Sequence, residues 1–196
     1  LGNKDAGVRL NAPNNIVGGT NPGEANVLSG NTLGLVIQGS DANNNQVIGN
    51  YVGTSLAGTG AIANSDHGIF VGDGTGNIIG PKNVISGNAI FGVLLIDNAH
   101  GNQVKGNYIG VGADGASPIP NQQGVHILGG QDNTVGGAIA GEGNVISGNT
   151  FNGILVYGNP GAESTNNRII GNLIGTNRTG TSAVPNSSGV SIAQNT

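Results

Sequence analysis

Cysteine, methionine and tryptophan are missing from all 196 residues. A chain without Cys has no disulfide, no thiolate nucleophile and no Cys-based zinc site. Charge is also scarce. Lys and Arg number six, Asp and Glu ten, and the formal net charge is −4. Six scattered cations do not make the basic footprint that nucleic acid demands, which argues against that partner. Aromatic residues are only 3 %, so stacking platforms for ligands are few. No apolar run approaches the roughly 18 residues that a membrane-spanning helix needs.

The abundant residues are equally restrictive. There are 39 Gly and 30 Asn. Both are poor in helix interiors, which excludes an ordinary helical domain. Disorder is the competing reading of so Gly-rich a chain. Against it, Ile, Val, Leu and Phe make 51 residues, more than the roughly 20 % below which chains stay unfolded. They also recur at regular spacing.

The hexapeptide Asn-Val-Ile/Leu-Ser-Gly-Asn occurs at 26–31, 83–88 and 144–149. Gly-Asn-Tyr/Leu-Val/Ile-Gly occurs at 49–53, 106–110 and 171–175. Three long repeats of roughly 60 residues follow, and each divides in two. An opener, Gly-φ-x-φ with φ aliphatic, stands at Gly7, Gly34, Gly68, Gly92, Gly124, Gly153 and Gly189. It carries the pairs Val8/Leu10, Leu35/Ile37, Ile69/Val71, Val93/Leu95, Val125/Ile127, Ile154/Val156 and Val190/Ile192. Two further beats place Asn two residues before an aliphatic. One column is Asn15, Asn45, Asn77, Asn102, Asn133 and Asn167; the other is Asn26, Asn50, Asn83, Asn107, Asn144 and Asn172.

The i, i+2 spacing puts each aliphatic pair on one face of a short strand. One unit buries about four aliphatic side chains, too few to fold alone, whereas stacked units form a continuous column. Three strands per turn predict an all-β, three-sheet parallel β-helix solenoid, one domain over 1–196. It has six complete coils, with a seventh begun at Gly189. At roughly 4.8 Å per coil the rod is about 29 Å long.

Asn suits both columns, because its amide both donates and accepts along a stack. It also tolerates the left-handed conformation at a corner. Gly49, Gly106, Gly137 and Gly171 are predicted to supply positive φ at the next corner. Length variation follows the third strand of alternate units, at 55–67, 112–123 and 177–188. Two of these insertions end in Pro-Asn, at Pro120-Asn121 and Pro185-Asn186. A shorter loop at 138–143 lies between a second and a third strand. Loops stacked on one side of a solenoid are a predicted binding surface.

These motifs resemble the right-handed parallel β-helix repeat of large bacterial secreted or surface-anchored proteins, with their tandem Asn-Val-Ile-Ser-Gly-Asn and Gly-Asn-Tyr-Ile-Gly-Thr arrays. The resemblance covers the whole chain. It implies an extracellular or cell-surface location. The wider fold group holds pectate lyases, polygalacturonases, alginate epimerases, phage tailspikes and adhesins, so the fold selects no function by itself.

Sugar-cleaving members of that group use clustered carboxylates, and hydrolysis needs two carboxyls about 5–9.5 Å apart. Asp73 and Asp97 each stand five residues after their Gly opener. They therefore share a column on neighbouring coils, with His100 in the same turn. These three are the candidate catalytic residues, weighed against the backbone reasons for which turns favour Asp. His126 faces outward on the next coil. Asp66-His67 resembles the Asp-His pairs of some pectin-degrading β-helices, without their aromatic and aliphatic context. Lys4, Arg9, Lys82, Lys105, Arg168 and Arg178 gather beside neither acidic site. No motif points to a cofactor or a metal.

Val36, Phe70, Leu94, Ile96, Leu128, Leu155 and Tyr157 fall on the outer side of the first strands. They are predicted to form one exposed apolar patch, which marks an interface. Bare solenoid ends would add unpaired strand edges, so the chain is expected to be a segment of a longer array or to stack head to tail. The leading expectation is a non-catalytic structural or adhesive module of an extracellular protein. Its partners are copies of itself or adjoining domains, with surface glycans as a further class. The alternative is a polysaccharide-active lyase, hydrolase or epimerase using Asp73 and Asp97, or a carbohydrate-binding module using the loops.

Overall fold

The computed structural model describes residues 2–194. Every strand belongs to one of three sheets. The first contains β1 (Ala6–Leu10), β4 (Leu33–Gln38), β7 (Ile69–Gly72), β10 (Phe91–Ile96), β13 (Gln123–Leu128), β16 (Asn152–Gly158) and β19 (Ser188–Gln194). The second contains β2 (Ile16–Gly18), β5 (Gln46–Ile48), β8 (Ile78–Ile79), β11 (Gln103–Val104), β14 (Thr134–Gly136) and β17 (Arg168–Ile170). The third contains β3 (Val27–Leu28), β6 (Tyr51–Val52), β9 (Val84–Ile85), β12 (Tyr108–Ile109), β15 (Val145–Ile146) and β18 (Leu173–Ile174). Successive strands visit the three sheets in turn and pair in parallel with the coils before and after. The chain is a three-sheet parallel β-helix, with six complete coils and the first strand of a seventh.

Register aligns the aliphatic pairs as the spacing predicts. Val8, Leu35, Ile69, Val93, Val125, Ile154 and Val190 stack in one column. Leu10, Ile37, Val71, Leu95, Ile127, Val156 and Ile192 stack beside them. With Val47, Ile79, Val104 and Val135 of the second sheet and Val52, Ile85, Ile109 and Ile146 of the third, the inner members fill one core. Each such aliphatic contributes about 1.5–3 kcal/mol when fully buried. It is fully buried only once the coils on both sides are in place.

The opening Gly of each coil has a steric cause. A Cβ on Gly124 would stand 2.5 Å from the Gly153 carbonyl oxygen and 2.8 Å from Ile146 Cγ2. The same clash with the next coil's Gly carbonyl recurs at Gly34, Gly68, Gly92 and Gly153. Adjacent backbones approach there too closely for any side chain.

Both predicted Asn ladders are present. Asn102 Oδ1 accepts from the Asn77 backbone N–H at 2.9 Å and from Asn77 Nδ2 at 3.1 Å. Asn102 Nδ2 donates to Asn133 Oδ1 at 3.1 Å and to the Gly74 carbonyl at 3.0 Å. The second ladder repeats this from Asn26 through Asn50, Asn83, Asn107 and Asn144 to Asn172. A third ladder, which the motif reading missed, occupies the corner entering the first sheet. It links Asn3, Asn31, Asn64, Asn88, Asn121, Asn149 and Asn186.

The predicted left-handed conformation does not fall on the ladder residues. Positive φ belongs to the residue in front of each: Asn14, Asn44, Asp132 and Asn166, or Gly76 and Gly101. That residue makes the turn, which leaves the ladder Asn free to aim its N–H along the axis. At the following corner Gly49, Gly106 and Gly171 have positive φ as read. In the fifth coil Gly136, not Gly137, has it, because the 138–143 loop begins its excursion there.

The three long insertions fold as hairpins, closed by Thr54–Ala61, Val111–Pro118 and Thr176–Ala183 bridges. Asp114 pins the second by accepting from Ala116 N, Ser117 N and Ser117 Oγ, which holds its carboxyl below the usual range. The hairpins lie over the outer face of the third sheet and touch one another. Ala113 N–H donates to the Gly58 carbonyl at 3.0 Å, and Arg178 N–H to the Gly115 carbonyl at 2.8 Å. Val111 and Val184 pack there with Val145, Tyr108 and Leu173 in a second, smaller apolar cluster.

Candidate functional site

Asp73 and Asp97 stand in one column on neighbouring coils, since Gly72 pairs with Ile96 directly before them. Their backbones explain their identity. Both have φ of 61°, a conformation for which Asp is enriched among non-Gly residues. Asp73 Oδ1 accepts from Asn98 Nδ2 at 3.1 Å, and Asp97 N–H donates to the Leu128 carbonyl. His100 lies further along the same turn, half-buried, bridging to Gln131. Among the described residues, no ion pair joins these three groups, and no His/Asp/Glu cluster of three could hold a metal.

The outer side of the first sheet holds a different cluster. His67 stacks on Phe91 with centroids 4.7 Å apart, and Phe91 meets His126 edge-on at 4.8 Å. His126 sits between Leu94 and Leu155 in the sheet and is 8 % exposed. Neither of its ring nitrogens has a hydrogen-bond partner. Burial therefore pushes its pKa down to about 4, with His67 adding a like-charge effect. Burial also lowers His67, opposed by the Asp66 carboxylate. Asp66 Oδ1 lies 3.1 Å from His67 Nδ1, yet both atoms lack a hydrogen bond of adequate geometry. The contact is charge proximity rather than a directed bond.

The predicted outer patch is contiguous, but less open than alternation alone suggests. Val36 and Leu94 are buried, while Phe70, Ile96, Leu128, Leu155 and Tyr157 are half-buried. Large neighbours cover one another: the Phe70 ring, for one, lies over Gly72. The strongly exposed inner pair is elsewhere, on β19. Ile192 is 73 % exposed and Val190 41 %.

A groove of about 660 Å³ runs over the third sheet, between its turns and the last hairpin. Lys82, Lys105 and Arg178 line it, with Tyr108, Leu173 and Glu142. Lys105 Nζ lies 3.0 Å from Glu142 Oε1 and holds that carboxyl below its ordinary range. The cations come from three separate coils and converge only in space. The sequence signal for this groove was the outward Tyr108 of the second Gly-Asn-Tyr motif; Tyr51 of the first lines a separate recess.

No helix of the described residues is long and apolar enough to cross a membrane. No family model matches the chain, and neither does any curated protein or solved structure.

Proposed function

We propose that the chain is a non-catalytic structural or adhesive module of an extracellular or cell-surface protein, which lengthens by stacking its first-sheet edge on the coils of another copy. The observation that carries this reading is the coil-to-coil stack itself: the aliphatic columns and the Asn ladders continue from one coil to the next without interruption, so a coil offers the surface on which a further one packs. The hexapeptides and the Asn ladders support the finer reading of a tandem surface-array repeat. A head-to-tail contact that does not close gives open filaments.

Negative-stain electron microscopy of the native protein tests the proposal, with particle length recorded against concentration. Rods that lengthen with concentration are expected, with an axial repeat that is a multiple of about 4.8 Å. Particles of one constant length at every concentration would overturn it.

A further inference from the structure

We infer that the groove over the third sheet binds an extended acidic glycan, a linear chain of sugars bearing carboxylate or sulfate groups. The inference rests on the adhesive part of the reading above and not on end-to-end stacking. Half of the chain's six cations stand on this one groove. One carboxylate on its lining, Glu142, is held by Lys105. Lys82 and Arg178 form no ion pair among the described residues. In a chain of net charge −4, such a concentration of unanswered positive charge attracts anions locally.

Both free cations have fixed bases. Lys82 N–H donates to the Gly106 carbonyl at 2.7 Å. Arg178 N–H donates to the Gly115 carbonyl at 2.8 Å, and its stem packs so close that a Cβ on Gly115 would meet Arg178 Cβ at 2.8 Å. The wall between them is Tyr108, half-buried against the small apolar cluster. A second recess of about 400 Å³ continues past Lys82 and holds Tyr51 and Asn21.

The spacing selects the ligand. Tyr51 pairs with Val84 and Val84 with Tyr108, so the two rings stand two coils apart, about 9.6 Å along the axis. That is the length scale of a disaccharide in an extended chain. The cations come from the third, fourth and sixth coils, so they line the groove at different levels along the axis. A linear polymer with an anionic group at each repeat follows such an offset, which a single small anion does not use. Lys and Arg pair directly with carboxylate and sulfate oxygens. Single-stranded nucleic acid fits less well, because it calls for more cations and more stacking rings than the groove offers.

Isothermal calorimetry on the native chain tests this, with an oligouronate, a heparin oligosaccharide, a neutral dextran oligomer and oligo-dT as probes. Binding of the oligouronate, the heparin oligosaccharide or both is expected, weakening as salt rises. Those two arms separate carboxylate from sulfate recognition. The double variant Lys82→Asn/Arg178→Gln is expected to lose affinity roughly tenfold or more. The distant Lys4→Gln change is expected to leave affinity unchanged. Arg178→Gln alone, on an exposed hairpin, is expected to show a measurable part of the loss with an unaltered melting temperature. Four results would overturn the assignment: no binding of either acidic glycan, equal binding of dextran, tighter binding of oligo-dT, or unchanged affinity in the double variant. None of them alters the concentration dependence of particle length, so this proposal and the stacking proposal fail separately.

Discussion

An asparagine at zero exposure is tolerated only where its amide is fully used. Asn102 meets that condition with partners on the coils to either side. Asn102→Ala strips an acceptor from the Asn77 N–H and a donor from the Gly74 carbonyl. Each orphaned buried group costs about 1–3 kcal/mol. Urea denaturation is therefore expected to show a clear loss for Asn102→Ala. Asn15→Ala, on the same ladder but exposed, is expected to lose less. His126 gives a pH dependence with a definite sign. Its pKa is about 4 when folded against an ordinary 6.5, so only the unfolded chain takes up this proton between those values. Stability is then unaffected by this group above pH 6.5 and falls as the pH drops toward 4. His67, the titratable neighbour, is lowered by burial in the same way and bears on the same window. Glu24, Glu142 and Glu163 are lowered from 4.5, so their losses begin below it. Melting temperatures from pH 7 to 5 are expected to decline in the parent chain and less steeply in His126→Leu.

At the scale of strands and corners, each coil approaches the next so tightly that one methyl group matters. Gly124→Ala drives its Cβ onto the Gly153 carbonyl, a backbone atom that cannot swing aside. Overpacking of that kind costs about 1–3 kcal/mol. The variant is expected to melt several degrees lower, whereas Gly60→Ala, where a Cβ meets nothing, leaves the melt in place. The aliphatic pairs made the first sheet readable from sequence, because Leu35 and Ile37 announce a shared face by a period of two. The strands of the third sheet span two residues, as in Val84–Ile85. Two residues carry no period, so its tyrosines counted only as scarce aromatics and were not placed on one outer face. Most of the third Asn ladder was present in plain letters, as the final Asn of the three hexapeptides (Asn31, Asn88, Asn149) and the Asn of the two Pro-Asn pairs that end insertions (Asn121, Asn186). It was overlooked because its members lie four residues or fewer before the Gly openers and merged with them. Solvent exposure of the outer patch was misjudged for another reason. Alternation tells which way a side chain faces, while its cover depends on the bulk of neighbours such as Phe70 and Phe91.

For the whole molecule, stability accumulates from contacts between adjacent coils, and the outermost coil lacks half of them. Ile192→Lys puts a charge into the apolar column at the open β19 edge. It is expected to abolish concentration-dependent rod growth in sedimentation velocity while barely changing the unfolding of the interior coils. The acidic pair, by contrast, was legible as a shared column, while the positive φ that both residues adopt was not. The groove stayed hidden because Lys82, Lys105 and Arg178 are far apart in sequence and meet only through winding. The hairpins hold a last consequence. Gly58, Ala113, Gly115 and Arg178 join every other turn of the winding, so the rod keeps two rhythms: amides tick once per turn, hairpins once per two. Removing a single turn would leave every ladder able to re-knit but set the hairpins out of step. Removing two adjacent turns would restore both. Growth or shortening of such a chain by recombination is thereby confined to even steps.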